Sequence, residues 1–187
     1  YAFQYYVGTK GGETIRLADA YCEKILDPEH DDDIPASAYP DNKTYPKGGK
    51  GIVSVFKIQR DNYAWTVSDF KMQHPKQPVI YEMHLRDFTT GRTINSALQK
   101  LDYLKDMGVD AIELMPVQEF DGNDSWGYNP CFFFALDKAY GTPKMYKDFI
   151  DACHRKGMAV ILDVVYNHAT GNMPFARLYW DSAKNKT

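Results

Sequence analysis

Cysteine is scarce in this chain. There are three among 187 residues, Cys22, Cys131 and Cys153, an odd count without regular spacing. That argues against a disulfide framework. The lack of a C-x-x-C pair or a Cys/His cluster argues against a structural zinc site as well. The three thiols read as reduced, partly buried small hydrophobes. Long apolar runs are also missing. None approaches the roughly 20 residues of a membrane-spanning helix, and no charged-then-apolar leader opens the chain. Residue 1 stands inside a strand-like run, so an upstream start is expected and the missing leader carries no weight. Neither sign of charge dominates: the net charge is −3 and the pI about 5.9. With no basic stripe, a nucleic-acid footprint is not supported. The sequons at Asn42 and Asn185 are too short a signal to assign a compartment.

Apolar residues make up 44% of the chain, enough for a sizeable core, and aromatics 14%. Such aromatic richness fits carbohydrate stacking, but it fits a β-rich core at least as well. Residues 1–7 (YAFQYYV) and 51–58 (GIVSVFKI) are rich in aromatic and β-branched residues and read as strands. Between them, residues 27–51 are full of Pro, Gly and Asp and read as a long surface loop. The acidic run Asp31–Asp33 lacks the spacing and glycine of a calcium loop and reads as solvated charge.

The texture changes after residues 74–78 (HPKQP). Residues 79–88 (VIYEMHLRDF) read as a strand. Thr93 can cap a helix in which Ile94, Ala97, Leu98, Leu101 and Leu104 recur at helical spacing. Gly108 suits the left-handed stop, and residues 109–117 (VDAIELMPV) form a second buried strand. The pattern repeats: Thr142 and Pro143 are a cap and first helical residue, and Met145, Phe149, Ala152 and Cys153 mark one face. Gly157 closes that helix, and residues 158–165 (MAVILDVV) are a nearly continuous apolar strand, of the kind covered on both faces in parallel sheets. Strand–helix–Gly–strand, twice over, means βαβ units and an α/β fold. The turn after the first strand (TTGRT, residues 89–93) has one glycine and no phosphate cradle. Periodicity alone leaves an open doubly wound sheet and a closed barrel both standing.

Four motifs then carry a likeness. YEMHLRDF (81–88), LDYLKDMGVDAIELMPV (101–117), WGYNP (126–130) and DVVYNH (163–168) stand in the order in which similar segments occur in glycoside hydrolase family 13. The chain most resembles the pullulanase- and isoamylase-type members, over about half its length. The resemblance implies the first three βα units of a TIM (β/α)₈ barrel, retaining chemistry and an α-glucan substrate such as starch, glycogen or pullulan. It also implies that residues 1–75 are the closing strands of an immunoglobulin-like β-sandwich plus a linker at 63–71, and that residues 76–187 begin the barrel.

On the same likeness, Tyr128 would stack on a sugar ring and His168 would hydrogen-bond sugar hydroxyls. Asp163 would hold the network around the nucleophile, and Asn167 would orient its loop and offer its carbonyl oxygen to calcium. Trp126 reads as a buttress of its loop, and Asn123 and Asp124 lie beside it. Glu82 and His84 share one strand face, while Asp87 has the other parity; all three read as structural. Glu113 would be buried or paired.

Retaining hydrolysis needs two carboxyl groups about 5 Å apart, and the family supplies them after later strands. The nucleophile and acid/base are therefore expected beyond Thr187. A full barrel needs roughly 250 residues, so the chain reads as a fragment, inactive alone and open to self-association through its uncovered barrel edge. Three other readings stand beside this one: a branching or transglycosylating enzyme of the same superfamily, a non-catalytic carbohydrate-binding module, and an unrelated α/β enzyme.

Overall fold

The computed structural model describes residues 1–59 and 62–185. Lys186 and Thr187 of the second sequon lie outside the described residues.

The first strand-like run is split in two. β1 (Ala2–Phe3) pairs antiparallel with β5 (Val53–Val55), whose other edge takes β4 (Ile25–Leu26). β2 (Tyr5–Gly8) instead forms a hairpin with β3 (Thr14–Leu17). Gln4 stands at the break, where its amide donates to the carbonyls of Lys50 (2.7 Å) and Ile52 (2.9 Å). These bonds offset the ladder bonds that the break gives up. The loop between β4 and β5 is irregular apart from one 3₁₀ turn at Asp31–Asp33.

Three parallel strands form the second part. β6 (Ile80–Met83), β7 (Ala111–Leu114) and β10 (Ala159–Leu162) lie in the order β10-β7-β6, so β7 is central. β6 is shorter than residues 79–88, because α1 (Leu85–Phe88) turns the chain after His84. The expected single helix is two, α2 (Ile94–Leu98) and α3 (Leu101–Asp106). Thr93 caps α2 in a reciprocal box with Ser96, which satisfies two orphan donors of the first turn. Between β7 and β10 the chain makes a hairpin, β8 (Gln118–Phe120) and β9 (Pro130–Leu136), and then α4 (Pro143–Arg155). Thr142 caps α4, accepting from the Met145 amide at 3.3 Å. Gly108 and Gly157 end their helices with φ of +84° and +73°. A short α5 (Pro174–Tyr179) follows β10.

The main core lies between the sheet and its helices. Met83, Ile112 and Leu114 from the strands meet Ile94, Leu101, Leu104, Phe149 and Cys153. The opposite face, with Ile80, Glu82, Glu113 and Ile161, is less covered, and Ile80 is 48% exposed. The apolar runs had implied cover on both faces. A second core joins Ala18, Cys22 and Ile25 to Cys131, Phe132 and Ala135, so the N-terminal strands pack on β9. Residues 63–70 run along α4: Tyr63 donates to Asp148 (3.0 Å), the Thr66 amide donates to Asp151 (2.9 Å), and Phe70 stacks on His154. All three cysteines are free and buried, and burial pushes the Cys22 thiol up to about 11.

The reading of Asp31 as solvated charge is corrected. It is half-buried, with Oδ1 3.3 Å from the Lys138 ammonium, while Asp32 and Asp33 are exposed. Burying Lys138 requires a counter-charge, and Asp31 is near enough to serve as one.

Candidate functional site

The three parallel strands end level with one another. The Met115 amide donates to the Met83 carbonyl (3.0 Å), and the Asp163 amide donates to the Leu114 carbonyl (2.9 Å). Asp163 therefore leaves β10 at the C-terminal edge of the sheet. The connection between β8 and β9, residues 121–129, folds toward the same edge. Gly127 makes its turn, with φ +88°, and a Cβ there would collide with the Pro116 carbonyl oxygen. Only glycine tolerates both demands. The loop also ties itself together: the Gly127 amide donates to Ser125 Oγ (2.9 Å), and Asn129 Nδ2 donates to the Asp121 carbonyl (3.2 Å).

This arrangement unites Tyr128, Asp163 and His168, the residues singled out in the sequence. The Tyr128 hydroxyl donates to Asp163 Oδ2 at 2.6 Å, and His168 Nε2 donates to the Tyr128 carbonyl oxygen at 2.7 Å. A carbonyl oxygen can only accept, so the His168 proton sits on Nε2. Tyr128 is 37% exposed. Its phenol is pushed up to about 12, first by the bond to Asp163, then by burial and by the charges of Asp163, Glu82 and Glu113. An aromatic face, a fixed carboxylate and an imidazole thus share one rim. Together they can stack on an apolar ring face and exchange hydrogen bonds with hydroxyl groups.

The other expected residues divide. Asn167 is exposed, and among the described residues no group of three His, Cys, Asp or Glu could hold a metal ion. Calcium takes six to eight oxygen ligands, of which the exposed Asn167 would supply one through its carbonyl oxygen. Trp126 is 62% exposed, so the loop is not built around its ring and the buttress reading is corrected. Asn123 donates to the His30 carbonyl (2.7 Å), and Asp124 takes a bond from Arg86. Asp87 does meet His84, at 2.9 Å. Strand parity had separated them, but the helical turn of α1 brings residues three apart onto one side. Glu113 is only half-buried and lies beside Glu82 in register, so the Tyr128 rim stands over two further carboxylates.

Residues 83–186 match the family model described as "Alpha amylase, catalytic domain". The chain belongs to the α-amylase family. The match takes in Tyr128, Asp163 and His168. Among its relatives is the malto-oligosyltrehalose trehalohydrolase of Arthrobacter ramosus, 41% identical over 70% of this chain and 22% of that protein. Two solved structures are similar. The product complex of the glycogen-degrading pneumococcal virulence factor SpuA has a TM-score of 0.70 and 29% identity, covering 90% of this chain and 20% of that one. The Group B Streptococcus pullulanase SAP in complex with maltotetraose has a TM-score of 0.67 and 27% identity, covering 90% and 25%. This α-amylase-family chain spans 18–26% of the length of the trehalohydrolases it matches.

Sequence reasoning missed two groups of this family member's residues. Arg86 and Tyr140 both contact the segment that holds Tyr128. Lys138, 2% exposed, is bonded to Glu119 and lies beside Asp31. Burial works against the Lys138 charge, but Glu119, Asp31 and Asp137 outweigh it and hold the ammonium. Burial also pushes the Glu119 carboxyl up. No local pattern marks either group, because each is assembled across the fold.

Proposed function

We propose that the chain is the first part of the catalytic barrel of a retaining, α-glucan-acting glycoside hydrolase, preceded by the closing strands of an immunoglobulin-like sandwich that ends near residue 75. The observation that carries this reading is the junction of Tyr128, Asp163 and His168 at the C-terminal ends of parallel strands. That is the face on which (β/α)₈ enzymes keep their active sites. Tyr128 offers its ring to a glucose face, His168 bonds a sugar hydroxyl, and Asp163 fixes the Tyr128 phenol and adds negative charge to the rim. The named activities of the relatives, on glycogen, pullulan and malto-oligosyltrehalose, point to the same substrate class.

Retaining hydrolysis needs a nucleophile and an acid/base about 5 Å apart. Asp163 is committed to Tyr128, and the catalytic pair is assigned to residues beyond Thr187. The uncovered edges of β6 and β10 are then where the rest of the barrel, or a second copy, would pair. Titration of the 187-residue chain with maltotetraose, followed by amide chemical shifts, tests the reading. Shifts centred on residues 126–130 and 163–168, lost in Y128A and H168A, are expected, with no turnover of starch. Shifts elsewhere, or unchanged affinity in both variants, would sink the sugar-site assignment. Measurable turnover would sink the assignment of the catalytic pair.

A further inference from the structure

The loop that carries Tyr128 is held from the N-terminal part of the chain as well as from the parallel strands. The Asn123 side-chain amide donates to the His30 carbonyl at 2.7 Å, across 93 residues of sequence. A carbonyl oxygen can only accept, so Asn123 presents its nitrogen there. Asn123 is half-buried, while Asp121, Asp124, Trp126 and Tyr128 around it are exposed. The loop is also closed at its mouth. The Asp121 amide donates to the Asn129 carbonyl, and Asn129 Nδ2 donates to the Asp121 carbonyl, both at 3.2 Å. A compact loop with its ends joined moves as a unit, so a shift at Asn123 reaches Tyr128.

The turn that supplies the His30 carbonyl is itself braced. Asp27 Oδ1 accepts from the Glu29 amide, and Asp27 Oδ2 meets His30 Nδ1, both at 2.9 Å. Such a local side-chain bond to the amide two residues on fixes a turn. The Asp31 amide donates to the Asp27 carbonyl (3.1 Å), and the Asp33 amide shares the His30 carbonyl with Asn123, at 3.2 Å. An oxygen with two lone pairs can accept both. Asp31 then lies 3.3 Å from Lys138, which is bonded to Glu119. Glu119 is on β8, and Asn123 is in the connection that follows it. The turn is thus anchored to the hairpin at one point and grips its loop at another.

We propose that the turn at residues 27–33 is a positioning element of the sugar site: through the His30 carbonyl and Asn123 it sets residues 121–129 and so presents Tyr128 to Asp163. Asn123 is a positioning residue, acting on the sugar through Tyr128. The effect on sugar binding rests on the proposed function; the placement of the loop does not.

The test uses the full 187-residue chain and maltotetraose, with structure and binding both read from amide chemical shifts. N123A removes the bond. It is expected to move the amides of residues 126–129, to leave those of α4 in place, and to weaken maltotetraose binding several-fold. N123D keeps the size of the side chain but sets a carboxylate oxygen against the carbonyl, and is expected to weaken binding as well. D27A loosens the turn without touching the loop. It is expected to weaken binding in the parent background but not in N123A, because effects that share one route do not add. If D27A does not fold, H30A takes its place, since it removes the ring that Asp27 holds and keeps the carbonyl. Loop amides and affinity unchanged in N123A overturn the proposal, as does parent-like binding in N123D. An effect of D27A that is the same in both backgrounds, nil included, overturns it too. Absence of maltotetraose binding in the parent would overturn the sugar-site reading instead, and the loop amides of N123A would still decide whether the turn places the loop.

Discussion

The Tyr128 hydroxyl and Asp163 Oδ2 meet at 2.6 Å across 35 residues of sequence. The bond holds the phenol protonated, so its folded value is raised to about 12 from about 10 in an unfolded chain. For an acid raised on folding, the added stability is complete below the unfolded value and is lost as pH rises through the folded one. The window is therefore about 10 to 12. A difference ultraviolet titration of the parent chain against Y128F reads this phenol alone. In D163N it is expected to ionise at lower pH than in the parent. An unchanged titration in D163N would mean that the two groups are not bonded in solution.

The parts of this architecture that were legible in the sequence are those with local signals. Thr93, Thr142 with Pro143, Gly108 and Gly157 each act within one helical turn, and each marks its helix end in the structure. The break between α2 and α3 was not legible, because the apolar spacing continues across it while the Lys100 amide bonds three residues back, to Ala97. The end of β6 was hidden for a related reason. His84, Arg86 and Asp87 turn the chain to meet Ser125 and Asp124, which lie some 40 residues away. Hairpin β8–β9 lacks the two-residue turn that makes hairpins readable. Tyr128, Asp163 and His168 could be grouped only through a resemblance. No spacing rule links residues on different strands and loops.

Gly127 separates two costs of a side chain in the left-handed region. At Gly108, with φ +84°, a Cβ meets nothing within 4 Å, so G108A should cost only the backbone term, about 1–2 kcal/mol. At Gly127 the same term applies, and the Pro116 carbonyl blocks the Cβ as well. G127A is expected to exceed G108A in urea unfolding by about 1 kcal/mol or more, in the range of added strain. It should also move the Tyr128 resonances, which G108A should not. Equal costs would mean that the loop relaxes freely around residue 127.

Asp110 ties the boundary segment to the start of β7. Its carboxylate accepts from the Val79 amide (3.0 Å) and from His74 (2.8 Å), and these bonds, the Val79 amide first, hold it below the usual aspartate value. For a carboxylate lowered on folding, the added stability is present above the unfolded value, about 3.9, and fades as pH falls through the folded one. D110N should be less stable than the parent at neutral pH, and the gap should close as the solution is acidified below that value. Thermal unfolding at a series of pH values measures it. A gap that stays constant into acid would show that the bonds survive protonation and that the charge is irrelevant.

Lys138 offers the sharpest test of what joins the N-terminal strands to the hairpin. Its ammonium is bonded to Glu119 on β8 and lies beside Asp31 in the loop after β4. Removing it leaves a buried carboxylate without a counter-charge, and losing one partner of such a pair typically costs about 3–5 kcal/mol. K138M is expected to lose that much in urea unfolding. Apolar residues at both positions leave no such orphan on β8, so K138M combined with E119L should recover part of the loss, the remainder falling to Asp31, which still lacks its counter-charge. Asp137, also buried and with its carboxyl pushed up by burial, can stay neutral in the double variant. If K138M costs less than 1 kcal/mol, the ammonium already reaches water, and the junction is held by the apolar contacts of Ile25, Phe132 and Ala135 instead.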